Sequence, residues 1–378
     1  MEGEQRVRLL DYFEDLEDPR IERCKRHSLL DIITIAICAV ICGADSWVHV
    51  AMFGKSKEEW FRTFLELPNG IPSHDTFGDV FSRLDPEQFQ ECFMEWSQGV
   101  AELLPGAVVA IDGKTARRSY DTQAGKGALH LVSAWASANT LTLGQVSTEE
   151  KSNEITAMPK LLELLELKGC IVTIDAMGCQ KDIAQGILER EADYVLAVKQ
   201  NQGRLYEDIK DLFEEAEGTG FEGVPHDYAT TLNKNHGRRE RRECWSISDP
   251  ECLDYLSTGQ EWPGLRSVVK VVGRRESETG TTVQPRYFIS SLDAPAEDLL
   301  ATVRAHWSIE NSLHWSLDVT FREDQCRVRK DHGPQNFATL RNISHNMLKR
   351  ETSLKVGIQG KRLQAGWRED YLLKVLLT

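Results

Sequence analysis

The chain has 378 residues, 41% of them hydrophobic, with 59 acidic and 45 basic side chains and a formal net charge of −14. That length and apolar content suit a globular protein of two or three domains with a sizeable core, and exclude a disordered or fibrous chain. The acidic balance excludes a chain coated in basic charge, yet bases gather at Lys114, Arg117 and Arg118, at Arg238 to Arg242, and at Arg322 to Lys330. Such local surfaces can bind a polyanion on an acidic protein.

The first twenty residues are acidic and carry no apolar segment, so no secretory signal is expected. The longest apolar run, Leu29 to Cys42, contains Asp31 and is too short to span a bilayer, which points to a buried helix. Nine cysteines without paired CxxC or Cys/His spacing predict reduced thiols in a cytoplasmic protein with no membrane partner. Residues 1–95 read as a helical domain, because apolar residues recur at helical spacing through Leu29 to Val40 and Phe77 to Phe93. Pro72-Ser73 followed by Asp75-Thr76 should cap a helix starting near His74 or Asp75. His27, His49 and His74 are isolated from one another and read as structural.

From Ala107 the pattern changes. AVVAIDGKTARRS reads as a buried strand with Asp112 at its carboxyl end, where open sheets place their chemistry. The Asp-Gly pair also fits a hairpin, although the next strand-like run starts only at Ala128. Strands are expected over Leu129 to Ser137 and Leu141 to Thr148, joined as a hairpin. A helix from Glu154 is expected to stop at Gly169. CIVTIDAMGCQ repeats the strand-then-acid pattern with Asp175, and is followed by a helix over Lys181 to Glu191 and a buried strand closing at Lys199. Residues 201–295 read as a helix, Gln202 to Glu217, and then a mainly β insertion. Its strand-like runs include Ser267 to Val272 and Tyr287 to Ser291, with turn residues and bases of Asn233 to Glu243 between strands. RAHWSIENSLHWSLD is a helical pattern holding Glu310, with His306 and His314 one turn to either side. Those three side chains span two turns, about 11 Å, too far for one tetrahedral zinc. Hydrogen bonds to phosphate or to Glu310 suit either histidine better, with plain packing as the other reading.

Two core strands each ending in a lone aspartate can place carboxylates side by side, which is what a hard divalent cation needs. In these contexts Asp112, Asp175 and Glu310 resemble the acidic triad of the DDE transposases. IPSHDTFGDVF, AIDGKTARRS, ALHLVSAW, TIDAMGCQKDIA, ADYVLAVKQNQ and HWSIENSLHWSLDVTFREDQCR together resemble the H-repeat-associated bacterial insertion-sequence family. The resemblance implies an α/β fold: a ribonuclease-H-like mixed-sheet catalytic core over residues 100–378, interrupted at about 201–295, preceded by a small all-α domain. It implies a transposase that binds terminal inverted repeats, cleaves double-stranded DNA and joins the freed 3′-ends to target DNA, with two Mg²⁺ ions per site held by the triad and Mn²⁺ able to substitute. A homodimer or larger assembly on DNA, in the bacterial cytoplasm and on the nucleoid when DNA-bound, is implied as well. The DNA-facing set is expected to comprise Lys114, Arg117, Arg118, Arg238, Arg239, His306, His314, Arg322, Arg327, Arg329 and Lys330, with Asn336, Arg341 and Asn342 facing the substrate strand. Asp318 is a rival third ligand. The related hairpin-forming transposases carry tyrosine, arginine, glutamate and lysine along the last helix, where this chain has Val303, His306, Glu310 and Leu317. A silent DNA-binding protein and a nuclease without strand transfer are the alternative functions.

Overall fold

The structure, a computed structural model, describes residues 9–121, 125–148, 154–235, 238–277 and 280–378. It opens with helices α1 (Leu29–Ile41), α2 (Trp47–Ser56), α3 (Glu58–Phe61), α4 (His74–Arg83) and α5 (Pro86–Val100). The α1 helix is apolar on nearly every face and therefore buried almost throughout. Ser73 accepts from the Thr76 amide to start α4. Asp85 accepts from the Glu87 and Gln88 amides to start α5, with Pro86 in the first turn.

The core follows as β1 (Val108–Ala116), β2 (Leu129–Ala136), β3 (Leu141–Ser147), α6 (Glu154–Glu163), β4 (Ile171–Ile174), α7 (Lys181–Glu189) and β5 (Asp193–Val198). Then come α8 (Gly203–Gly218), β6 (Asp227–Asn235), β7 (Arg238–Ile247), α9 (Pro250–Asp254), β8 (Ser267–Ser277) and β9 (Gly280–Ser290). The chain closes with α10 (Ala296–Ser308), α11 (Gly333–Arg350), α12 (Ile358–Trp367) and α13 (Glu369–Leu376). One mixed sheet runs in the order β3-β2-β1-β4-β5-β9-β8-β7-β6. β1, β4 and β5 are parallel, in register Val108 with Ile171 and Ile171 with Asp193. β2 and β3 form the expected antiparallel hairpin. β9 pairs antiparallel with β5, so the inserted strands extend the core sheet.

Several sequence expectations need correction. β1 continues four residues past Asp112, because its β2 side stays paired from Asp112 with Ser133 to Ala116 with Leu129. The β4 side of β1 stops pairing at Ile111 with Ile174, so Asp112 is the first residue beyond the parallel ladder. Asp-Gly here is no turn: a Cβ on Gly113 would collide with the Glu154 carboxylate, so the glycine allows a close approach inside a strand. α6 ends at Glu163, not Gly169, as the Leu164 and Leu165 amides fold back onto the Leu161 and Leu162 carbonyls. Leu165 and Leu167 prolong the apolar period because they are buried in the following loop. The basic stretch from Asn233 to Glu243 lies mostly in β6 and β7 and not between strands. Its polar residues on both faces hide the period-2 signal.

α11 seats the helical N-terminus against the sheet, packing on α1, α4, α5 and β3. Asn336, Arg341 and Asn342 are buried there and do not face a substrate. Asn336 donates to the Phe81 and Leu84 carbonyls, and Asn342 donates to Gln145 of β3 at 2.7 Å. His345 is fully buried beside the Trp135 and Phe321 rings. Burial pushes its imidazole down to about 3, reinforced by Lys349. Between that value and the ordinary histidine value the unfolded chain binds the extra proton, so stability falls as pH drops through 6.5. From pH 6.5 to 5.0 this residue should cost about 1.6 kcal/mol. Urea unfolding at both pH values should therefore show a smaller acid loss in His345→Leu than in wild type.

Candidate active site

The three candidate acids come from different elements and line one cleft of about 290 Å³. Asp112 points from β1 beyond the last β4 pair, with its side chain 17% exposed. Asp175 follows β4 directly and caps a short turn by accepting from the Ala176 amide at 2.6 Å. Glu310 sits just after α10, where the helix widens: the Trp315 amide reaches the Glu310 carbonyl and the Phe321 amide reaches the Ser316 carbonyl, five residues back. π-helical turns of this kind are rare and often mark functional sites. α10 is fixed over the sheet by hydrogen bonds from Trp135 to Ser308 (2.9 Å) and from Ser137 to the Ala305 carbonyl (3.1 Å).

Electrostatics separates the two aspartates. Burial pushes the Asp112 carboxyl up to about 7, and the neighbouring Glu310, Glu154 and Asp175 add to the effect against the Gly113 amide. Asp175 is held below the usual carboxylate range. Burial alone would raise it, but the Ala176 amide, Lys199 and His306 together outweigh that. Lys199 Nζ lies 3.1 Å from Asp175 Oδ1. Its more than half-exposed ammonium stands on a flexible stem where a bound cation would compensate the acids.

Asp112, Glu310 and His314 present ligand atoms within 4.8 Å of one another, the one such cluster among the described residues. His314 is buried, 3.6 Å from Asp112 and 3.9 Å from Glu310, and burial pushes its imidazole down to about 4. Burial thus favours its neutral form, and its Nε2 has no hydrogen-bond partner among the described residues. The donor set, crowded acids with a lysine standing in for a cation, fits a divalent metal ion.

The two histidines flanking Glu310 do different things. His306 meets Thr173 of β4 through Nδ1 at 2.9 Å, so it ties α10 to the sheet instead of touching Glu310. Lys114 is corrected outright: its ammonium is sequestered 2.7 Å from Asp318 and 2.6 Å from Glu323, and it does not face solvent. Asp318 accordingly pairs with Lys114 and stands outside the metal-type cluster. Val303 and Leu317 are buried core residues, so the tyrosine and lysine of the hairpin-forming relatives have no counterpart there.

The other basic residues lie away from the cleft lining. Arg117 and Arg118 are exposed after β1, and Arg329 stacks over Tyr120 at 4.6 Å while donating to the Arg118 carbonyl. Arg322 pairs with Asp45 and Lys330 with Asp79. Arg327, Arg329 and Lys330 line a groove of about 1140 Å³ against α2 and α4. Arg239 is exposed on β7, and the side chain of Arg238 lies outside the described residues. The sequence reading missed Lys199, Arg286 and Trp307, which also line the cleft. Lys199 was signalled by its place at the carboxyl end of the strand beside β4; Arg286 carried no local signal, since only the pairing of β9 with β5 brings it there.

Among the described residues, no helix is long and apolar enough to cross a membrane. The family model described as "Transposase DDE domain" matches residues 104–347, and the one described as "DDE_Tnp_1-associated" matches residues 10–97. "Putative transposase YncI" of Escherichia coli O157:H7 is 41% identical over 374 residues, covering 98% of this chain and 94% of that protein. "H repeat-associated putative transposase YhhI" of Escherichia coli K12 is 39% identical over 376 residues, covering 98% and 97%. A solved piggyBac transposase synaptic complex with hairpin DNA aligns over 94% of this chain and 74% of that chain at 12% identity and a TM-score of 0.44. With both family models matched in order along the chain, and with relatives similar from end to end, this protein belongs to the H-repeat-associated DDE transposases, metal-dependent enzymes of DNA transposition.

Proposed function

We propose that the protein binds the terminal inverted repeats of its element, cleaves the DNA there and joins the freed 3′-ends to target DNA, on a ribonuclease-H-like core. The observation that carries this reading is the meeting of Asp112, Asp175 and Glu310 in one cleft beside the ends of the parallel strands. These carboxylates would hold divalent cations, two Mg²⁺ per site with Mn²⁺ able to substitute. When bound, such ions activate water or a 3′-hydroxyl and stabilise the leaving oxygen. Lys199, paired with Asp175 at 3.1 Å, would yield that carboxylate to a cation and keep its ammonium for a phosphate oxygen. Arg286 and His306 line the same wall, where Arg286 adds a second cation for the DNA backbone and His306 keeps α10 in register with β4. The exposed residues Arg117, Arg118, Arg239, Arg322, Arg327 and Lys330, with the half-buried Arg329, supply backbone contacts outside the cleft. Two copies act together on paired ends.

The test is incubation of a labelled duplex carrying the element's own end with Mg²⁺ or with EDTA, followed by a strand-transfer assay on plasmid target. Metal-dependent nicking with joined product is expected. Nicking without joining would make the protein a nuclease. Binding without nicking in Mg²⁺ or Mn²⁺ would make it a silent DNA-binding protein.

A further inference from the structure

A second concavity adjoins the acid cleft. It has a volume of about 640 Å³ and lies between α10 and one face of the β7-β8-β9 sheet. Side chains alternate across a strand, and here the alternation selects Glu240 and Arg242 on β7, Gly273 and Arg275 on β8, and Gln284 and Arg286 on β9. Arg304 of α10 completes the wall. Among the described residues of that lining Glu240 is the single acid against four guanidinium groups, and it already pairs with Arg242 at 2.7 Å and Arg275 at 3.5 Å. The Asn233 amide oxygen, in the orientation that satisfies both, accepts from Arg304 at 3.0 Å and Arg242 at 3.1 Å. Burial pushes the Arg242 guanidinium down, opposed by Glu240 and reinforced by nearby Arg304 and Arg275. Like charges gathered in a concave site are unfavourable without an anion, and such a site concentrates one.

The concavity and the cleft share Gln284, Arg286, Val303 and Trp307. Trp307 is 43% exposed, with the Arg286 guanidinium over its ring at 4.5 Å. The shared wall therefore offers a planar cation and an indole face one turn before Glu310. Phosphates and bases on one strand suit that pairing of charge and aromatic surface, whereas an acidic peptide uses the charge alone.

We infer that the arginine-lined concavity of β7, β8, β9 and α10 is a track for nucleic-acid backbone phosphates leading into the acid cleft. The inference rests on the transposase reading above and adds to it the surface that holds the DNA beside the scissile phosphate. Anisotropy of a fluorescein-labelled 30-base-pair duplex, titrated in EDTA across a series of NaCl concentrations, tests it. Arg242→Gln/Arg275→Gln should lower the slope of log K against log salt by about 2, since each phosphate contact contributes about 0.9. Arg241→Gln/Arg274→Gln, the same charge change on the opposite sheet face around Glu243, should change it by less than half as much. Arg242→Lys/Arg275→Lys should keep the slope, and thermal melting should show all three variants folded.

Equal slopes for the two Gln pairs, or no duplex binding by wild type, would overturn the track. Tighter binding of a labelled poly-glutamate peptide than of duplex, lost in the groove variant, would overturn it in favour of an acidic protein partner. The parent reading fails separately: a wild type that cuts DNA with an unaltered groove-variant slope loses only the track, and one that binds through the groove but never cuts loses only the enzyme.

Discussion

Glu310→Ala is expected to lower metal-dependent end cleavage by about 10³-fold or more while leaving end binding in EDTA nearly unchanged. The magnitude follows from the several kcal/mol of transition-state charge stabilisation that a metal supplies, with each 1.36 kcal/mol worth about tenfold. Glu310 is the most exposed of the three acids, its side chain 53% accessible, so its loss opens no cavity. It is also the first neighbouring charge that disfavours ionised Asp112. The metal-free variant should accordingly melt no lower than wild type. Wild type should gain about 2.7 kcal/mol when Mg²⁺ is present at about a hundred times its dissociation constant, and the variant should gain much less. Asp112→Ala and Asp175→Ala should lose cleavage in the same way. Asp318→Ala supplies the contrast: it removes a partner of Lys114 and should retain most cleavage per folded molecule. A Glu310→Ala enzyme with more than about a tenth of wild-type activity would transfer the third position to another acid.

What could be read in the sequence divides along physical lines. Val108 to Ile111 and Ile171 to Ile174 are short β-branched runs buried on both sides, so their strands and the acids that follow them stand out without tertiary information. The β2–β3 hairpin and the helices α1, α4 and α7 are visible in the same way, because periodicity and caps are local. What the sequence hid depends on pairing between distant segments. Asp112 lies inside β1 because β2 keeps one edge paired while β4 leaves the other, an asymmetry no local pattern encodes. Basic residues separate by environment and not by type: Lys114 is largely enclosed and Arg341 buried in ion pairs, Arg117 is exposed, and Arg242 and Arg286 share a groove although one comes from β7 and the other from β9. The asparagines of α11 read as a polar face, which usually means solvent. Here they meet an equally polar seam of Thr142 and Gln145 on β3.

Lys114→Met is expected to destabilise the protein by about 3–5 kcal/mol, the usual cost of removing one partner from a buried ion pair. The Lys114 ammonium holds Glu323, whose side chain is 2% exposed, and its remaining cation, Arg341, lies 3.6 Å away. The Glu323 carboxyl sits below its ordinary value: burial would raise it, but Lys114 and Arg341 outweigh burial. Its contribution to stability is therefore present above the unfolded value and lost as pH falls, and urea unfolding at pH 7 should show the full effect of Lys114→Met. Adding Glu323→Met should recover a substantial part of the loss, since a buried pair replaced by apolar side chains is often neutral. A double variant as unstable as the sum of the singles would show that the two residues do not act as a pair. Lys114 stands two residues beyond Asp112 on the same face of β1, and Glu323 follows the π-helical turns, the first of which contains Glu310. The pair thus ties the strand bearing one proposed ligand to the chain leaving the other. Cleavage per folded molecule should fall in Lys114→Met even well below its melting temperature, because the two carboxylates are then held at their separation by the helix alone.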